Sequence, residues 1–110
     1  MVSVLINQNQ YGEYVGFQCS GHAGFGEKGS DIVCAAVSVL TQTTMLALEQ
    51  LVNLKLFIEA DPESGYLNCR WNNCSETLIQ SELLMKTMIL GLNEIQSQYP
   101  EHLGLSEAEV

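Results

Sequence analysis

Positively charged side chains are scarce in this sequence: its 110 residues include four Lys and Arg against 13 Asp and Glu, a formal net charge of −9. Nucleic-acid binding needs clustered basic side chains that contact phosphates. Four basic residues spread from Lys28 to Lys86 do not supply such a cluster, so the composition argues against direct nucleic-acid binding. The acidity itself favours solubility, and it would attract a basic partner such as a positively charged peptide.

Metal-ligand motifs and targeting segments are also missing. The two His and four Cys include no C-x-x-C pair, so we expect neither a metal site nor a cofactor. The N-terminus lacks a basic segment followed by a long apolar run, and no membrane span is predicted. We therefore expect a cytoplasmic protein with reduced thiols and no contact with a membrane.

The length predicts one domain, residues 1–110, of the α+β class. Four strand-like and two helix-like stretches are found in the order ββαββα, at residues 2–6, 14–20, 32–50, 54–60, 66–71 and 75–98. Two hairpins, each followed by a helix, indicate an antiparallel or mixed sheet with both helices on one face. The acidic tail, residues 101–110, is expected to be frayed.

The first predicted helix is almost free of charge, which is typical of a buried central helix. Ser30 or Asp31 is the expected N-cap, and Ser75 the expected cap of the second helix. Cys34, Ser38 and Thr41 share one side of the first helix by their spacing. We expect Thr41 to bond back to a carbonyl one turn earlier, and Ser38 to line the floor of a site at Cys34.

One histidine and one cysteine are placed to form a catalytic pair. His22 follows the second predicted strand, and Cys34 opens the first helix after a loop, residues 23–30, that contains three glycines. A thiol near a helix N-terminus lies at the positive end of the helix macrodipole, a position that stabilises a thiolate. Cys34 is thus a candidate nucleophile and His22 its base. Asp31 could orient His22 or only cap the helix, and Cys19 and Cys69, within strands, are expected to be core residues.

These residues also carry a family resemblance. Gly21-His22-Ala23-Gly24-Phe25, followed by Gly29-Ser30-Asp31-Ile32-Val33-Cys34-Ala35-Ala36-Val37-Ser38, resembles the signature of the ribosomal-processing cysteine proteases. The resemblance extends over nearly the whole chain in length and element order. It implies that His22 and Cys34 form the catalytic dyad, that the protein is a homodimer, and that the glycine-rich loop covers the site until substrate arrives.

The same resemblance implies a substrate: a large-subunit ribosomal protein made with a short N-terminal extension, cut after the second residue of an aromatic pair. Two other classes compete with this interpretation. The chain could be a non-enzymatic, acidic, dimeric adaptor for a basic ribosomal protein, with Cys34 a core thiol. A thiol redox protein is disfavoured, because no resolving cysteine lies near Cys34 in the sequence.

Overall fold

The computed structural model describes residues 1–21 and 30–110, and the side chains of residues 1–21 and 32–110. Seven elements follow in order: β1 Val2–Gln8, β2 Tyr14–Ser20, α1 Ser30–Gln50, β3 Phe57–Asp61, β4 Tyr66–Arg70, α2 Leu78–Gln98 and β5 Leu103–Glu109. The α+β class and the ββαββα order are confirmed, with one further strand at the end.

The five strands form one mixed sheet in the order β3-β4-β2-β1-β5. The pairs β1–β2, β2–β4 and β3–β4 are antiparallel, and β5 lies parallel to β1. The two hairpins predicted from the sequence therefore lie side by side, with β2 and β4 in contact at the centre. The edges of the sheet are β3 and β5.

Both helices pack on the same face of this sheet. Strand alternation brings Ile6, Phe17 and Cys69 together on that face, because these residues are neighbours across β1, β2 and β4. They share one buried cluster with residues from α1 and α2, such as Val33 and Met88. We call this the inner face. The opposite, outer face carries mostly polar side chains, so the molecule has two layers and one core.

Helix α1 ends at Gln50, and the chain turns at Asn53. Asn53 has a φ of 62°, and the N–H of Leu54 donates to the carbonyl of Leu48, six positions earlier, at 3.0 Å. Asn is one of the residues that adopt the left-handed conformation after a helix. Leu54 is then buried as an anchor after the helix, and for this reason β3 begins three residues later than the sequence predicted.

The prediction of a frayed tail is wrong. Leu103–Glu109 is strand β5, and it pairs with β1 from Val2 opposite Leu103 to Gln8 opposite Glu109. Leu103 is fully buried in the core, and Leu105 packs against that core from the same face. Glu107 and Glu109 follow on that same face, opposite Ile6 and Gln8. The apolar alternation therefore covers only the first half of β5, and the acidic second half concealed the strand in the sequence.

The start of each helix also differs from prediction. Helix α1 begins at Ser30, so Asp31 lies inside the first turn and not at the N-cap. Helix α2 begins at Leu78, and its N-cap is Thr77 and not Ser75. The Thr77 hydroxyl donates to the carbonyl of Cys74 at 3.3 Å, and the cap makes no side-chain hydrogen bond to the helix.

By length and composition alone, residues Ile32–Gln50 of α1 could cross a membrane, contrary to the expectation from the sequence. The core helix of a globular protein passes the same test. Here Val33, Val37 and Leu48 on one side of α1 are buried in the core. The contacts of α1 are thus those of a helix packed on a sheet.

Candidate functional site

Cys34 lies one turn into α1 and lines a cleft of about 450 Å³ on the inner face of the sheet. Its side chain is half-buried, in contrast to the fully buried Val33 beside it. Ser38, Gln42 and Met45 follow Cys34 at helical spacing and line the same cleft. One flank of α1 therefore forms a wall of the cleft, with Cys34 near its N-terminal end.

The floor of the cleft is a strip of sheet that the helices leave partly uncovered. Ile58 and Ala60 on β3 and Leu67 on β4 line it. Their register places all three on the inner face, yet Ile58 is 43% exposed. Apolar side chains on an accessible inner face form a surface that favours apolar ligand groups.

Two further residues of α1 were singled out in the sequence. Ser38 lines the cleft one turn after Cys34, on its wall and not on its floor. Thr41 also contacts the cleft, but it is buried and its hydroxyl donates to the carbonyl of Val37 at 2.8 Å. The prediction of a back-bonded Thr41 is therefore confirmed, and its hydroxyl is already bonded within the helix.

The two strand cysteines differ from Cys34 in their environment. Cys19 and Cys69 are buried, as predicted. Burial raises the pKa of Cys19 to about 11, and a hydrogen bond with the Thr41 side chain opposes this in part. Burial, with smaller effects of Cys19 and Glu49, raises the pKa of Cys69 to about 12. Both are protonated near pH 7, so neither is a nucleophile there.

Gly21 controls how the chain leaves β2 toward His22. Its φ is +96°, and a Cβ at this position would overlap the carbonyl oxygen of Met1. Only glycine fits this conformation and this close approach. Gly21 also lines the cleft, so the last residue described before Ser30 lies at the same cleft as Cys34. His22 itself lies outside the described residues, as does the loop 23–29.

Charge is sparse in the cleft. Asp61, at the end of β3, is the only charged residue among those described that line it. One of its carboxylate oxygens accepts the N–H of Glu63 at 3.1 Å, which stabilises the turn between β3 and β4. The side chain of Asp31 lies outside the described part of the chain. Within residues 1–21 and 30–110, no group of three or more His, Cys, Asp or Glu could hold a metal ion.

The residues of the cleft floor are not apparent from the sequence. Ile58, Ala60 and Leu67 come from the second hairpin, and the turn that contains Pro62 and Gly65 closes one end. Alternation in β3 was visible in the sequence, but which strand lies beside the flank of α1 is decided by the sheet order. Cys19 also lines the cleft, although it is far from Cys34 along the chain.

Comparisons with known proteins agree over the whole fold. A family model described as "Cysteine protease Prp" matches residues 1–104. The ribosomal processing cysteine protease Prp of Staphylococcus aureus is 29% identical over 106 residues, which cover 96% of this chain and 98% of that protein. The crystal structure of an S. aureus Prp with a substrate peptide is similar at a TM-score of 0.87, with 28% identity over 98% of this chain and 100% of that one. An S. aureus Prp structure with a covalently linked product peptide is similar at 0.84, with 29% identity over the same shares of both chains.

Proposed function

The chain belongs to the cysteine protease Prp family, and from this premise we propose that it removes a short N-terminal extension from a large-subunit ribosomal protein. The family makes it a cysteine protease. The name of the S. aureus relative, a ribosomal processing protease, supports the substrate class. The single observation that carries the proposal is the half-buried Cys34 at the N-terminal end of the wall of an apolar cleft.

Cys34 and His22 carry the reaction in this proposal. His22 takes the thiol proton, and the Cys34 sulfur attacks the scissile carbonyl carbon to form a tetrahedral intermediate. The C–N bond then breaks, His22 gives its proton to the leaving amine, and an acyl-thioester stays on Cys34. His22 next accepts a proton from water, and the hydroxide attacks the thioester carbon. The C–S bond breaks, the carboxylic acid product leaves, and His22 returns its proton to the Cys34 thiolate.

Backbone N–H groups at the start of α1 are candidates for stabilising the oxyanion. The helix begins at Ser30, and its first four N–H groups have no partner within the helix. Cys34 is the fifth residue, so the reacting sulfur lies beside this end. Donors of this kind typically contribute about 3–4 kcal/mol to transition-state stabilisation. We further propose supporting roles for Asp31, in orienting His22, and for Ser38, which lines the cleft beside Cys34.

We propose that the apolar floor of the cleft binds an aromatic side chain of the pair that precedes the cut. Ile58, Ala60 and Leu67 offer a surface on which a Phe side chain can be buried, and full burial of a Phe is worth about 1.5–3 kcal/mol. The net charge of −9 favours a Lys-rich segment downstream of the cut. This charge would act mainly on the rate of encounter.

The active protein is proposed to be a cytoplasmic homodimer. Exposed apolar side chains lie along both helices, at Ile32, Val39, Leu46, Ile79, Leu83 and Leu90. A stable dimer should bury more than about 1,000 Å² of total surface. Light scattering at micromolar concentration tests this, and Leu90→Glu should shift the protein to monomers. A wild-type monomer would contradict the dimer.

A cleavage assay tests the enzymatic proposal against a non-enzymatic adaptor. The wild-type protein is incubated with a peptide containing the aromatic pair and a Lys-rich flank, and the products are weighed by mass spectrometry. We expect one cut, after the second aromatic residue, and none by Cys34→Ala. Thiol alkylation near neutral pH should modify Cys34 faster than Cys19. Cleavage by Cys34→Ala at the wild-type rate would refute the assignment of Cys34.

The exposed Cys74 supplies a matched control. Cys74→Ala removes an accessible thiol outside the cleft, so it should cleave the peptide at the wild-type rate. If instead both alanine variants lose activity equally, the loss reflects the fold and not the nucleophile. Circular dichroism of both variants separates these cases.

A further inference from the structure

Two cavities lie on opposite faces of the sheet, and β3 contributes to both. Ile58 and Ala60 face the cleft that contains Cys34. Phe57 lines a second cavity, of about 660 Å³, on the outer face, together with Arg70 and Asn68 of β4. Because side chains alternate along a strand, this one edge strand contributes side chains to both cavities.

Strand β3 is an open edge. Its register pairs Phe57–Asp61 with β4 on one side, and all five residues are exposed. An edge strand presents a row of N–H and C=O groups that can pair with another extended chain. Proteins often protect such edges with charged side chains, Pro or a bulge. Strand β3 carries the charged Glu59 and Asp61, but it contains no Pro and pairs with β4 in continuous register.

The outer cavity also contains polar atoms that lack partners. The side-chain oxygen of Asn68 and the side-chain nitrogen of Asn73 are buried without a hydrogen bond. The Arg70 guanidinium lies 5.2 Å from the centre of the Phe57 ring, beside β3. A buried polar atom without a hydrogen bond destabilises the protein, so this face gains by binding a group that supplies the missing partners.

We propose that substrate binds as a sixth strand along the free edge of β3, with alternate side chains directed into the two cavities. The proposal rests on the proposed protease function and specifies how the substrate is held. The backbone of the extended segment pairs with β3. One side chain points to Ile58 and Ala60 in the cleft, and the next points to Phe57 and Arg70 on the outer face.

This arrangement makes recognition depend on both members of an adjacent apolar pair. Neighbouring residues of a strand point to opposite faces, so the cleft can receive only one of them. The other contacts Phe57 across the strand pair, and aromatic cross-strand pairs stabilise a sheet. The substrate backbone should also matter at every second residue, because alternate N–H groups point toward β3.

An N-methyl scan of the peptide tests the backbone pairing. One backbone amide upstream of the cut is methylated at a time, and kcat/KM is measured with the wild-type protein. Methylation should lower kcat/KM about tenfold or more at alternate positions and less at the positions between, which serve as matched controls. A uniform effect along the peptide, with normal cleavage of the parent, would overturn the sixth-strand proposal while leaving the protease function intact.

Hydrogen exchange gives a readout that does not need cleavage. Cys34→Ala is mixed with the unmodified peptide, and exchange of the β3 amides is followed by NMR. Alternate amides within Phe57–Asp61 should slow by about tenfold or more on binding. Unchanged β3 exchange at saturating peptide would refute the proposal. Protection without peptide that grows with protein concentration would also refute it, because the edge would then pair with a second copy.

Phe57→Ala tests the outer face. Because Phe57 is 39% exposed, its truncation should leave the fold intact. We expect kcat/KM to fall about threefold to fivefold for a peptide with two adjacent aromatic residues. For a peptide that carries alanine at the position facing Phe57, Phe57→Ala should leave kcat/KM unchanged. Leu51→Ala is the control, since Leu51 is 78% exposed and lies outside both cavities. Equal losses with both peptides would contradict contact between Phe57 and the substrate.

Discussion

Truncation of Ile58 should lower kcat/KM for peptide cleavage. The size of the loss depends on how much of the Ile58 side chain is exposed in the free protein. Full burial of an Ile side chain is worth about 1.5–3 kcal/mol, and 43% of this residue is accessible. If substrate covers that fraction, binding gains about 0.6–1.3 kcal/mol from Ile58. Ile58→Ala should therefore lower kcat/KM roughly threefold to ninefold. Since the side chain is already partly exposed, the free energy of unfolding should change much less than for a core residue.

The assay measures kcat/KM for Ile58→Ala with two peptides, the parent and one in which the aromatic pair is replaced by alanine. The loss should appear with the parent and shrink with the alanine peptide, because the apolar contact is then absent from both sides. Urea denaturation of the same samples excludes a folding defect. Equal losses with both peptides, or none with the parent, would show that the floor of the cleft does not bind a side chain of the aromatic pair.

Four further predictions follow from the site and the core. His22→Ala should lower the cleavage rate by about a hundredfold or more, the usual contribution of a general acid–base, and cleavage within tenfold of wild type would exclude the role. Gly21→Ala should be destabilised by more than Gly12→Ala in urea denaturation, because both have positive φ but only Gly21 lacks room for a Cβ; equal losses would remove the argument from close approach. The raised pKa values of Cys19 and Cys69 contribute stability that is fully present below pH about 9 and is lost as the pH rises toward 11 and 12. In denaturation measured at alkaline pH, the free energy of unfolding should fall less steeply with pH for Cys69→Ala than for the wild type. Equal slopes for the two proteins would contradict this contribution. Raising the salt concentration should reduce cleavage of a Lys-rich peptide more than cleavage of a peptide whose lysines are neutralised. Replacing the aromatic pair should reduce cleavage more than neutralising the lysines does. The reverse order would mean that the charge of the peptide, and not its aromatic residues, determines specificity.

Local patterns in the sequence were sufficient for most of the fold. The alternation in Tyr14–Ser20 gave β2 with its observed bounds. In the second helix, Met85 and Leu92 lie seven positions apart, a helical spacing that is visible in the sequence, and both are fully buried in the core. Both patterns depend on periodicity within one element, and a single sequence contains that information completely.

Features that depend on distant parts of the chain were not predictable in the same way. Strand β5 pairs in parallel with β1, from the opposite end of the sequence, so no hairpin turn marks it. The cleft floor needs the sheet order, because Ile58 and Leu67 become its floor only when β3 and β4 lie beside the flank of α1. The catalytic assignment of His22 and Cys34 came from motif resemblance and helix position, and the role of His22 stays a prediction.

The missed strand and the missed floor of the cleft have a common cause. Strands are spaced about 4.8 Å apart, and a packed helix is about 10 Å wide. The predicted four-stranded sheet, about 19 Å wide, would be fully covered by two helices of about 20 Å. Adding β5 widens the sheet to about 24 Å, and α2 packs over that added strand. The two helices then no longer reach the far edge, so β3 and part of β4 stay accessible beside Cys34. The parallel pairing of β5 with β1 thus creates room for a substrate at the opposite edge of the sheet.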